Sequence, residues 1–95
     1  MAKVLWISSY SRISHPDRLA AYAVLTLSAM KAEGGRVLAR GLPLHTYEQG
    51  QAELVVVEFD SVESARKMLD GAAYQAAGAA LAGGAERDIR IIDTV

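Results

Sequence analysis

The chain has no cysteine, so it has no disulfide framework, no thiolate metal site and no cysteine nucleophile. A heavy-metal carrier built on two closely spaced cysteines is excluded with them. Neither sign of charge prevails: ten Lys and Arg against eleven Asp and Glu give a net charge of −1. A nucleic-acid binder needs a basic stripe to displace counterions, and none runs along this chain. The single Phe lies in Glu58-Phe59-Asp60, so the basic-Gly-Phe motif on which RNA-binding sheets stack bases is missing. No Walker-type phosphate loop occurs. The two histidines, His15 and His45, are a thin supply for a metal, and the first expected helix carries none past His15 to hold a haem. Long apolar runs are also lacking. Leu19 to Met30 spans about twelve residues, too few to cross a bilayer, and the start has no signal-peptide core. We expect a cytoplasmic protein with no membrane or nucleic-acid partner, no metal and no cofactor.

What is present is apolar surface in a short chain. Ninety-five residues make one domain, taken as 1–95, and so small a domain buries only about 60–65% of its unfolded surface. Yet 52% of the residues are hydrophobic, above the usual ~45–50%. That excess points to a partner.

Along the chain, residues 3–11 read as a strand, with Val4-Leu5-Trp6-Ile7 apolar on both faces. Ser14-His15-Pro16-Asp17 reads as a helix entry in which Ser14 caps. Leu19, Tyr22, Ala23, Leu27 and Met30 then recur at helical spacing, and Gly34-Gly35 ends the helix. Arg36 to Arg40 is a second strand, and residues 41–52 form a loop of a length that is often functional. A third strand covers about 53–59. Asp60-x-x-Glu63 reads as a capping box, with Val62, Ala65, Leu69 and Ala72 on one helix face. Asp70-Gly71 breaks that helix, an alanine-rich helical piece fills 72–82, and Ile89 to Thr94 is the last strand.

The order β-α-β-β-α-β is that of an α+β, ferredoxin-like plait with a four-stranded antiparallel sheet. Both helices of such a plait lie on one sheet face. Trp6, Val37, Leu54, Val56 and Ile91 are too apolar a set for helices to account for both faces of every strand. Leaving that surface in water is rare in monomers. Two sheets packed face to face would hide it, at roughly 800 Å² per partner, so we expect a homodimer.

Tyr22, Gly34 to Gly41, Val56-Val57-Glu58-Phe59 and Ala73-Tyr74-Gln75 resemble the uncharacterised bacterial family called domain of unknown function 1330. The resemblance implies a dimeric α/β barrel of two joined plaits. It places the chain in a superfamily with antibiotic-biosynthesis-type monooxygenases, muconolactone isomerases and stress-responsive barrel proteins. Tyr22, Arg40, Glu48, Glu58, Phe59, Tyr74 and Gln75 stand at matching positions. The chain departs from the family at His15, where an acid is usual, and at Leu19, where an aromatic is usual. Glu53 and Leu81 replace arginines, which would weaken any anion site that those arginines build.

Several residues are candidates for chemistry, each with a plainer alternative. Arg40, before the long loop, could hold a carboxylate or enolate, or pair across the strands with Glu53. Glu58 is a carboxylate in the most apolar strand, fit for acid–base work if buried; otherwise it pairs with Arg36. His45-x-x-Glu48 could transfer a proton, or be exposed loop. Trp6, Tyr10 and Tyr22 could line an apolar pocket with polar tips, or pack the core. Tyr74 reads as an anchor for its helix. The function expected is binding of a small organic molecule by a homodimeric barrel, with cofactor-free isomerase or monooxygenase chemistry as its catalytic form. In that form Glu58 or His45 moves the proton, and Arg40, Tyr22, Trp6 and Glu48 bind the ligand. The alternative is a non-catalytic dimeric assembly or regulatory module.

Overall fold

A computed structural model describes residues 3–48 and 53–95. The elements are β1 (Val4–Ile13), α1 (Pro16–Ala32), β2 (Arg36–Gly41), β3 (Glu53–Phe59), α2 (Val62–Asp70), α3 (Ala72–Leu81) and β4 (Ala85–Asp93). The strands form one antiparallel sheet in the order β2-β3-β1-β4. This is the expected ferredoxin-like plait, with the alanine-rich segment as a third helix. Residues 49–52 of the expected loop lie outside the described residues.

Side-chain alternation decides which face each residue serves. In β1, Val4, Trp6, Ser8 and Tyr10 are buried while Leu5, Ile7 and Ser9 are half-exposed. The register carries this across the sheet: Trp6 faces Val57 and Ile91, and Val57 faces Val37. Val4, Trp6 and Val57, with Phe59, Tyr22, Met30, Met68 and Leu81, make the core under the helices, and Ile91 packs against it; Val37, on the edge strand β2, stays exposed. On the other face Leu5 stands between Glu58 and Ile92, and Ile7 between Val56 and Arg90. Trp6, Val37 and Ile91, counted above toward an uncovered sheet, therefore belong to the face that bears the helices, where Val37 is still 41% exposed beside the cavity. Leu5, Ile7, Leu54, Val56 and Ile92 form the bare face.

The ends of four elements differ from expectation. β1 runs on to Ile13, because Arg12 and Ile13 pair with Glu86 and Ala85 beyond a register shift. β4 is correspondingly longer. Ser14 does not cap α1: its hydroxyl donates to the Gly84 carbonyl at 3.2 Å, and His15 takes the cap position without a side-chain bond. Gly84 is required there, since a Cβ would sit 2.9 Å from the Leu81 carbonyl and 3.0 Å from the Arg18 Cβ. At α2 the cap is Ser61, whose Oγ accepts from the Ser64 N–H at 3.2 Å. Asp60, expected in that role, instead accepts from Arg36 at 3.1 Å. Of the stripe expected on this helix, Ala65 is buried and Leu69 packs against the core, whereas Val62 and Ala72 are exposed and Met68 turns inward instead.

Among the described residues, no helix is long and apolar enough to cross a membrane.

Candidate functional site

A cavity of about 210 Å³ opens between α1 and the β2–β3–β1 part of the sheet. Its floor is built by strand parity and, in β2, by the register shift that brings Val37 and Arg40 to one side. Tyr10 pairs with Glu53, Arg40 pairs with Val55, and Trp6 and Val37 both pair with Val57; all of these except Val57 line the cavity. Its roof is the α1 stripe of Leu19, Tyr22, Ala23, Thr26, Leu27 and Met30, residues that return to one side at helical spacing.

Tyr22 is fixed from three directions. Its hydroxyl meets that of Tyr74 at 2.7 Å, and the two rings pack edge to face with centroids 5.9 Å apart. The Arg87 guanidinium lies 4.3 Å from the Tyr22 ring centroid, close enough for a cation–π attraction. Burial, then the bond to Tyr74, pushes the Tyr22 phenol well above its ordinary range. Burial and the neighbouring Tyr22 push Tyr10 up as well. Both rings are thus neutral, rigid walls over the physiological range. With its hydroxyl committed to Tyr74, Tyr22 offers an occupant chiefly its ring.

Polarity in the site is sparse and unspent. Trp6 Nε1 and Thr26 Oγ1 belong to lining residues and are buried without a hydrogen-bond partner, as is Ser8 Oγ on the same sheet face. Arg40 and Glu53 both border the cavity. Neither is in an ion pair among the described residues. The cross-strand pair weighed for them does not form, because the register sets Arg40 opposite Val55, two residues beyond Glu53.

The structure brings Trp6, Tyr10, Tyr22 and Arg40 together at this cavity. Glu58, His45 and Glu48 are elsewhere. Glu58 is on the bare sheet face, where Oε1 accepts from Arg36 Nη2 at 2.7 Å and Nε at 3.1 Å, with Lys3 Nζ at 3.8 Å. His45 and Glu48 are exposed in the segment after β2. Glu53, Thr26 and Arg87 were not singled out as site residues by their sequence. Their signals were present: Glu53 shares strand parity with Val55 and Val57, Arg87 with Ile89 and Ile91, and Thr26 stands four residues from both Tyr22 and Met30.

The profile of the family described as domain of unknown function (DUF1330) matches residues 3–95. The chain belongs to that family. No curated protein matches this DUF1330 chain. Among solved structures it resembles a protein of unknown function from Rhodopseudomonas palustris, with a TM-score of 0.79 at 15% identity over 99% of this chain and 83% of that one. It also resembles SnoaB, a cofactor-independent oxygenase from Streptomyces nogalater, with a TM-score of 0.73 at 10% identity over 100% and 95%. A dimeric ferredoxin-like protein of unknown function from Bacteroides fragilis aligns with a TM-score of 0.58 at 15% identity, over 99% and 98%. These likenesses establish the shared fold.

Proposed function

We propose that this DUF1330 protein is a homodimeric α/β barrel that binds a small organic molecule in the cavity between α1 and the sheet. The observation that carries the reading is the cavity itself: about 210 Å³ with mainly apolar walls and one unpaired guanidinium, Arg40, on its border. Ligand sites are of this kind, apolar with a few placed polar groups. A dimeric neighbour and a cofactor-independent oxygenase on the same fold support the assembly and the cofactor-free chemistry.

As a catalyst the protein would work without a cofactor, with Arg40 holding negative charge as it develops. Of the carboxylates proposed or observed, Glu53 borders the cavity and Glu58 does not. A role for Glu58, His45 or Glu48 therefore requires that the second protomer or the 42–48 segment bring them to the ligand.

Native mass spectrometry of gently purified protein tests the reading. The expected result is a dimer that retains added small-molecule mass, lost in the cavity-filling variant Ala23→Phe. A bare dimer that takes up no apolar probe at millimolar concentration would leave the assembly module as the function. The bare apolar sheet face is the observation that favours that second reading.

A further inference from the structure

The polar groups that border the cavity define what would complete it. Arg40 is donor-only, and an ionised Glu53 is acceptor-only. They stand on neighbouring strands, Arg40 opposite Val55 and Glu53 two residues farther along β3. Two residues of rise and one strand spacing put their backbones roughly 8 Å apart. Neither is in an ion pair among the described residues, so an occupant can engage each one separately. On the strands Val55 stands between them, and the rest of the cavity wall is largely apolar, with Trp6, Leu27 and Met30. A dry cavity of about 150 Å³ holds one benzene ring. The volume here, about 210 Å³, fits one ring and its substituents.

Resting on the ligand-binding reading of this cavity, we infer that its occupant is a single-ring carboxylic acid with a hydroxyl or amino group across the ring. The carboxylate meets the Arg40 fork, the geometry that guanidinium recognises best. The hydroxyl or amino N–H donates to Glu53, and the ring lies over Val55, beneath α1. A neutral ring of the same size leaves both charged groups without a partner. A plain benzoate leaves Glu53 unmet, and specificity follows from such unpaired groups.

The test is calorimetric titration of the full-length protein with three probes: 4-hydroxybenzoate, benzoate and toluene. We expect affinity to fall in that order. Arg40→Met should weaken both acids by about tenfold or more while leaving toluene unchanged. Glu53→Gln should weaken 4-hydroxybenzoate and leave benzoate as it was. Thermal melts check that both variants are folded, which their positions at the cavity border favour. If all three probes bind alike and Arg40→Met changes none of them, the ligand class is overturned while the cavity remains a binding site. If no probe binds, and the Trp6 indole resonance does not shift at millimolar probe, the cavity reading falls and the inference falls with it.

Discussion

Tyr22 shows at the scale of one residue how burial becomes pH dependence. Its phenol is held above the ordinary value near 10 by burial and by the bond to Tyr74. The folded state therefore keeps a proton that the unfolded chain releases as pH rises past about 10. This contribution is fully present below that pH and is lost as pH climbs through the folded value. Stability should be flat from neutral pH to about 10 and then fall, by up to about 1.4 kcal/mol per pH unit for each retained proton. Urea midpoints measured from pH 8 to 11.5 check this, and Tyr22→Phe should lessen the fall. Equal slopes in the two proteins would remove Tyr22 as the cause. Thr26 makes the complementary case. It is 4% exposed, and its hydroxyl has no partner. An unmet buried hydroxyl costs about 1–3 kcal/mol, while Val has the same shape and a similar helix propensity. Thr26→Val should raise stability by about 1 kcal/mol in urea unfolding. A loss would mean that the hydroxyl has a partner, such as the nearby Tyr22 hydroxyl or a water held in the cavity.

At the scale of elements, the periodic interior was legible and the ends were not. Strand parity and helical spacing follow from local sequence, which is why Trp6 and Tyr22 could be read from it. The end of β1 depends on Glu86 and Ala85, more than seventy residues away, and nothing near Arg12 announces that pairing. The same holds for Arg40, whose partner depends on a register shift between Val37 and Ala39. For Glu58 two readings stayed open because an apolar run tells nothing of which sheet face a carboxylate takes; Arg36, directly opposite, makes the ion pair that was the plainer of the two. The cap of α2 was ambiguous because Asp60 and Ser61 are both good caps. The ion pair with Arg36 draws Asp60 away and leaves Ser61 in place. Removal of the residue that caps should therefore show the asymmetry. Ser61→Ala should cost about 1 kcal/mol, and Asp60→Ala, which breaks only an exposed ion pair, less than half of that. Chemical denaturation of the two variants decides it; the reverse ranking would return the cap to Asp60.

The whole molecule is a slab measuring 35 × 31 × 15 Å over its Cα atoms, one layer of sheet under one layer of helices. It exposes 6230 Å², whereas a folded monomer of 10.1 kDa should expose roughly 5300 Å². The surplus matches one partner's share of an ordinary interface, roughly 800 Å². It also has an obvious place, since Leu5, Ile7, Leu54 and Val56 line the sheet face that no helix covers. Face-to-face packing of two copies would thicken the slab and hide those side chains, and we expect light scattering to report a dimer. Val56→Arg puts a charge at the centre of that face and should yield a folded monomer. Val24→Arg is the control: Val24 is 71% exposed on α1, more open than Val56, yet away from the sheet. If the helices formed the interface, Val24→Arg would dissociate the dimer and Val56→Arg would not. If exposure alone drove association, Val24→Arg would again be the more damaging. Only association through the sheet makes the less exposed valine the decisive one, so the pair of variants separates the sheet interface from both rivals.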